Sequence, residues 1–261
     1  MIQEVKNLEK TKEYIRHYVI NVLKDDLLGE ELSELGDLIE QEDTFIYEYY
    51  QKDVLEGVFI GSFNHKTIFV DFYCNQTNGI IELIDFLKAK YAGYILNVNF
   101  NKKEHILHQV LKNCSASIET VSYLLNYSSV IPSRKMDNDI LIVKYNPKYD
   151  KMIKKMNPIS KLDFEMVYVA LKKKKPIGYI EISMYDEKTI YIENLDVLPK
   201  YKNIKADISL VDNILKNYLG YKINVIVSSY DDNISLYKDM GFEIEDGRTF
   251  FEASLLLTNE H

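Results

Sequence analysis

The chain has 261 residues, 46% of them hydrophobic and 28% charged, with a formal net charge of −8 and a pI near 5.3. This is the composition of a soluble globular protein long enough for one large domain or two small ones. The acidity argues against nucleic acid as a partner, since phosphates are met by basic clusters, and it suits a cationic substrate.

The N-terminal stretch MIQEVKNLEKTKEY is charged and lacks an apolar core, so no signal peptide is expected. No apolar run approaches the ~18 residues of a membrane span, so no membrane partner is expected and a cytoplasmic location is. Residues 8–40 hold two helical patterns. Tyr14, Ile15, Tyr18, Val19 and Val22 form the first apolar face, Leu32, Leu35, Leu38 and Ile39 the second, and Leu28-Gly29 is the break.

Strands follow at residues 45–73, in FIYEYYQKDVLEGVFIGSFNHKTIFVDFY. Residues 75–78 read as a polar loop, 80–90 as a helix, 94–100 as a strand, 104–111 as a helix and 120–127 as a strand. Cys74 and Cys114 form no C-x-x-C and read as packed, reduced thiols. His105 and His108 have a spacing compatible with metal but no partner set, so packing is the expectation and no metal is assigned. Residues 130–139, VIPSRKMDND, read as a linker: polar, with Pro132 and no periodicity.

A strand at 139–144 and a short helix at 149–156 come next, then a connection through Pro158 and Leu162. Residues 166–197, MVYVALKKKKPIGYIEISMYDEKTIYIENLDV, repeat the order of residues 45–73. Gly57 matches Gly178, and Lys66-Thr67-Ile68 matches Lys188-Thr189-Ile190. The run from Lys172 to Lys175 reads as a solvated hairpin turn. A period near half the chain length implies two copies of one mixed α/β unit, at residues 1–130 and 139–261.

The second copy continues through residues 189–242. A strand ends at Leu198-Pro199, because proline has no N–H for the ladder. Ile208, Val211, Ile214 and Leu215 recur at helical spacing, residues 223–227 form a strand, and residues 233–240 a short helix closed by Gly241. A loop that opens onto a helix N-terminus after a strand is an anion site, because free N–H groups point outward there.

Leu195-x-Val197-x-Pro199, Tyr201-Lys202 and Leu236-Tyr237-x-x-x-Gly241-Phe242 in this order resemble the GNAT superfamily of N-acetyltransferases. The resemblance implies two tandem GNAT-like units, each a mixed β-sheet flanked by helices. It implies acetyl-CoA as co-substrate and a small-molecule or peptide amine as acceptor. The family loop [Q/R]-x-x-G-x-[G/A] falls on Lys202, Lys205 and Asp207, so Lys202, Asn203, Lys205, Ala206 and Asp207 line the expected pyrophosphate site. Both glycine-type positions are altered, and Asp207 adds negative charge. Leu195, the Val197 amide and Asn233 are the remaining cofactor contacts that the resemblance implies. In the first copy, Gln76-Thr77-Asn78-Gly79 fits only the Q-x-x-G part, which a polar turn before a helix explains equally.

Two residues carry the implied chemistry. Tyr237 is the acid for the departing thiolate or a core tyrosine, and Glu193 is the general base or a solvated strand end. Asp196 reads as a solvated strand end. The reading is an N-acetyltransferase. The alternatives are a GNAT-like binding or structural module without acyl-CoA binding, and transfer of a different acyl or aminoacyl group.

Overall fold

The computed structural model describes residues 1–23, 43–127, 139–156 and 166–258. The second helical pattern, the linker apart from Asp139, and the Pro158–Leu162 connection lie outside the described residues. No described helix is long and apolar enough to cross a membrane.

The chain divides into two compact units, residues 1–121 with 247–261, and residues 122–246. The first unit holds β1 (Ile2–Glu4), α1 (Leu8–Tyr18), β2 (Thr44–Gln51), β3 (Val54–Asn64), β4 (Thr67–Cys74), α2 (Thr77–Lys90), β5 (Ile95–Asn101) and α3 (His105–Asn113). A π-helical turn, Val19–Leu23, extends α1. The sheet order is β1-β2-β3-β4-β5, completed by the last strand of the chain, β12 (Phe242–Leu256). The second unit holds β6 (Ser117–Tyr127), β7 (Ile140–Lys144), α4 (Asp150–Met156), β8 (Val167–Lys172), β9 (Lys175–Asp186), β10 (Thr189–Val197), α5 (Ala206–Asn217), β11 (Lys222–Ser228) and α6 (Asn233–Asp239). Its order is β6-β11-β10-β9-β8-β7.

The units do not follow the linear boundary at 130–139. β6, expected to end the first copy, pairs through residues 122–126 with β11. Residues 250–256 of β12 pair with β5. The closing strand of each copy thus belongs to the sheet of the other unit. The helix expected at 80–90 starts earlier, at Thr77, leaving only Asn75 and Gln76 as the loop after β4.

Each unit has the same two-faced core. In the first, Ile80, Leu83, Ile84 and Leu87 of α2 are fully buried with Phe59 and Ile68 of the sheet, while Ile15 and Tyr18 of α1 pack with Val58. In the second, Ile180, Ile182, Ile190, Leu210, Val211 and Ile214 are buried with α5, and Ile153, Val167, Val169 and Tyr179 with α4. Each such side chain contributes on the order of 1.5–3 kcal/mol.

The internal repeat has a structural cause. The β2–β3 turn has Lys52 and Asp53 at φ 49° and 64°, and the β8–β9 turn has Lys173 and Lys174 at 49° and 63°. Two consecutive left-handed residues match a tight hairpin to the strand twist. The matched glycines also share a reason. Gly57 lies opposite Cys74 and Gly178 opposite Val197. A Cβ on Gly57 would sit 2.8 Å from the Cys74 sulfur, and one on Gly178 would sit 2.8 Å from the Asp196 carbonyl oxygen. In both copies the second strand passes too close to the end of the third to admit a side chain.

Candidate active site

In the second unit β10 and β11 run parallel, but they pair only over residues 189–192 and 222–225. Both strands continue, β10 to Val197 and β11 to Ser228, so the sheet opens between their C-terminal ends. A bulge lies at this point, because the β10–β9 register shifts between Ile192 and Asn194. Ile192 stays in the core with Ile182. The extra residue turns both Glu193 and Asn194 toward the opposite face. There the Ser183 hydroxyl donates to the Glu193 carboxylate, and the Asn194 amide donates to Glu181 at 2.6 Å. Glu193 is exposed, whereas Glu181 is only 7% exposed.

Glu181 escaped the sequence reading. Its signal was a carboxylate inside the apolar strand run Tyr179-Ile180-Glu181-Ile182. A buried charge requires a hydrogen-bonding partner, and only the bulge supplies this one.

A 3₁₀ segment, Pro199–Ile204, follows β10 and delivers the chain to α5. Lys205 sits at the first glycine position of the family loop, with φ 60° and ψ 36°. The left-handed turn that glycine would make is therefore retained by a lysine, at a cost of about 1 kcal/mol. Its side chain is exposed, as are those of Lys202 and Asn203, while Ala206 is buried. No side chain caps α5 from Lys205. The amides of Ala206 and Asp207, in the first turn, have no intrahelical acceptor.

Two aspartates engage amides of this site. The Asp207 carboxylate accepts the Ile208 amide at 2.8 Å. The Asp196 carboxylate accepts the Val197 amide, the group expected to polarise a thioester carbonyl. Burial raises the Asp196 pKa above the usual carboxylate range, and the Val197 N–H and the Lys202 charge oppose that shift.

Tyr237 is 3% exposed and lies in the core, its ring edge-on to Phe242 with centroids 5.4 Å apart. Burial raises its phenol pKa well above 10, with smaller contributions from the charges of Asp231 and Asp207. The fold thus brings Tyr237 within electrostatic reach of the first turn of α5. Gly241 closes α6 at φ 94°. Asn233 donates its backbone amide to Asp231 at 2.8 Å, closing the turn into α6. Leu195 is half-buried against the core.

The corresponding corner of the first unit is built differently. The Gln76 side-chain amide donates to Glu56 at 3.4 Å and makes no cap to α2. A Cβ on Gly79 would meet the Tyr49 ring at 2.7 Å and the Cys74 sulfur at 2.9 Å. Gly79 therefore serves helix-to-strand packing. Cys74 is buried and free, with its thiol pushed up to about 12 by burial. His108 packs against Phe100 and Phe251 at 5.5 and 5.3 Å. Among the described residues no group of three or more His, Cys, Asp or Glu side chains is placed to hold a metal.

Residues 135–242 match the acetyltransferase (GNAT) family. They form a GNAT-family domain. Among solved structures, the chain is similar to a GCN5-related N-acetyltransferase from Sphaerobacter thermophilus, at TM-score 0.69 and 9% identity. That match covers 100% of this chain and 96% of the other. An acetyltransferase of the GNAT family from Colwellia psychrerythraea matches at 0.62 and 10% identity, over 98% and 99% of the two chains. A tandem GNAT protein from the clavulanic acid biosynthesis pathway matches at 0.62 and 8%, over 100% and 99%. At these identities the likeness is one of fold. No curated protein matches the chain. The open strand pair, the bulge and the left-handed loop of the GNAT domain are therefore its candidate active site.

Proposed function

We propose that the GNAT domain transfers an acetyl group from acetyl-CoA to an amine. The observation that carries this reading is the opening between β10 and β11, with Glu193 at the bulge and the left-handed Lys205 leading into α5. The loop fits the co-substrate in backbone path. Ala206 and Asp207 offer amides to a pyrophosphate, and Lys200, Lys202 and Lys205 offer point charges. Two donors are shared with internal anions, since Asp207 holds the Ile208 amide and Asp196 that of Val197.

Bound acetyl-CoA supplies an activated acetyl group. Glu193, exposed on the acceptor face, takes the proton that an ammonium acceptor must lose before its nitrogen can attack. The buried Glu181 carboxylate and the Ser183 hydroxyl hold Asn194 and Glu193 in register beside it. As the C–N bond forms and the C–S bond breaks, the Tyr237 phenol gives its proton to the departing thiolate. Its raised pKa keeps it protonated through the neutral range.

A second reading is a GNAT-like module that does not turn over acyl-CoA. The two aspartates on amide donors favour it. Calorimetric titration with acetyl-CoA, paired with a thiol-release assay on a panel of amines, separates the two. Binding with thiol release supports transfer. Binding without release on any amine, or no binding, favours the module.

A further inference from the structure

Glu193 stands beside apolar surface on its own face of the sheet. Ile223, Val225 and Val227 of β11 are buried in the core with α5, so Asn224, Ile226 and Ser228 alternate to the opposite face. Tyr191 pairs with Asn224 in the parallel ladder and with Ser183 in the antiparallel one, which places Tyr191 and Ser183 on that face too. Tyr185 joins them, its ring edge-on to Tyr191 with centroids 6.1 Å apart. Ile226, two residues past Asn224, is the diagonal neighbour of Tyr191 across the ladder. It is 57% exposed and Tyr185 is 48% exposed, although β11 lies in the interior of the sheet.

The polar groups of this face are turned toward partners in the chain. Ser183 donates to Glu193, Asn194 donates to Glu181, and the Ser228 hydroxyl accepts the Tyr230 amide at 3.3 Å. Asn224 is only 1% exposed, so Tyr191 and Ile226 on either side of it, rather than its amide, meet a ligand. An exposed isoleucine alone is ordinary, but here it shares a face with two tyrosines and with the carboxylate assigned as base.

We propose that the acceptor is a small amine carried on an apolar body about as wide as an aromatic ring. The body lies on Tyr185, Tyr191 and Ile226 while the nitrogen meets Glu193. The inference rests on the acetyl transfer proposed above and names its substrate class. Tyr191 and Glu193 are two residues apart on one strand, roughly 6–7 Å, a reach suited to a ring joined to nitrogen through two carbons. Seating such a body removes apolar surface of both partners from water. An amine with a hydroxyl or a second charge at that distance would lay a polar group on apolar surface and desolvate it without a partner.

The test has two arms on the full chain. Calorimetry reads amine binding, and thiol release from acetyl-CoA reads transfer. The amines are phenethylamine and hexylamine against ethanolamine and 1,6-diaminohexane. The apolar pair binds more tightly and is acetylated with a kcat/KM about tenfold or more above that of the polar pair. Ile226→Asn and Tyr185→Ser, both at exposed positions, cut that preference about fivefold or more by lowering kcat/KM for phenethylamine more than for ethanolamine. Tight binding of phenethylamine that these substitutions weaken, without thiol release on any amine, upholds the apolar-amine surface and removes the transfer reading. Acetylation of all four amines with equal kcat/KM, or a preference that survives both substitutions, overturns the inference and leaves the transfer standing. Neither binding nor transfer with the apolar pair overturns it as well.

Discussion

In the first turn of α5 the Asp207 carboxylate accepts the Ile208 amide hydrogen at 2.8 Å. A negative charge belonging to the chain thus stands where the family loop receives a negative ligand. Replacing Asp207 by Asn or Gly removes a repulsion of about 1 kcal/mol or more at ~4 Å. Acetyl-CoA affinity then rises about fivefold. Joint loss of Lys200, Lys202 and Lys205 lowers it. Dissociation constants for the parent and the Asp207 variants check this, and equal values would remove Asp207 from donor recognition.

Tyr237 sits in the core rather than on an open surface. If it donates the proton, Tyr237→Phe lowers turnover by about 10²-fold while acetyl-CoA affinity holds. The ring contact with Phe242 survives in the variant, so its melting temperature stays near that of the parent. Full turnover in the variant assigns Tyr237 to packing alone.

Glu104 makes stability depend on pH. Its folded pKa of about 7 lies above the ordinary value of 4.5, so the folded state holds a proton that the unfolded state releases between those values. Its contribution is therefore complete below about pH 4.5 and is lost as pH rises through 7. Glu104→Gln keeps an acceptor for the Asn101 amide and removes the penalty. The variant gains on the order of 2–3 kcal/mol at about pH 8 and little at about pH 4.5. Denaturant unfolding at both pH values measures the difference, and an equal effect at both contradicts the assignment.

Gly178→Ala places a methyl group 2.8 Å from the Asp196 carbonyl oxygen, a backbone atom that cannot swing away. The variant loses about 1–3 kcal/mol, with the damage centred on the β9–β10 pair. Gly93→Ala is the contrast, since nothing lies within 4 Å of its Cβ and only its φ of 85° resists. Thermal unfolding that ranks Gly93→Ala as the more damaging would contradict the packing argument.

Removing residues 247–261 strips β5 of the partner that residues 250–256 provide. The effect falls on the first unit, although the deleted segment lies at the far end of the sequence. Hydrogen exchange of the truncated chain shows residues 95–101 losing protection. Unchanged protection there would contradict the strand exchange.

Local signals determined the elements and their repetition. Alternation in residues 189–197, the stop at Pro199, the helical spacing of Ile208, Val211, Ile214 and Leu215, and the matched Gly57 and Gly178 were legible because each rests on neighbours in the chain. The family frame was legible for the same reason. Tertiary structure decided the rest. β6 and β12 have the same pattern whichever sheet they join, since period-two burial does not name a partner. The bulge at Glu193 is a mismatch between two strands, invisible in either one, and it is what gives Glu181 its partner. Lys205 in a left-handed turn looked like a broken motif, yet the surrounding loop holds the backbone path without glycine. Glu104 became a group titrating near neutrality only once α1, β4 and β5 closed around it, because burial comes from the fold rather than from a residue's own chemistry.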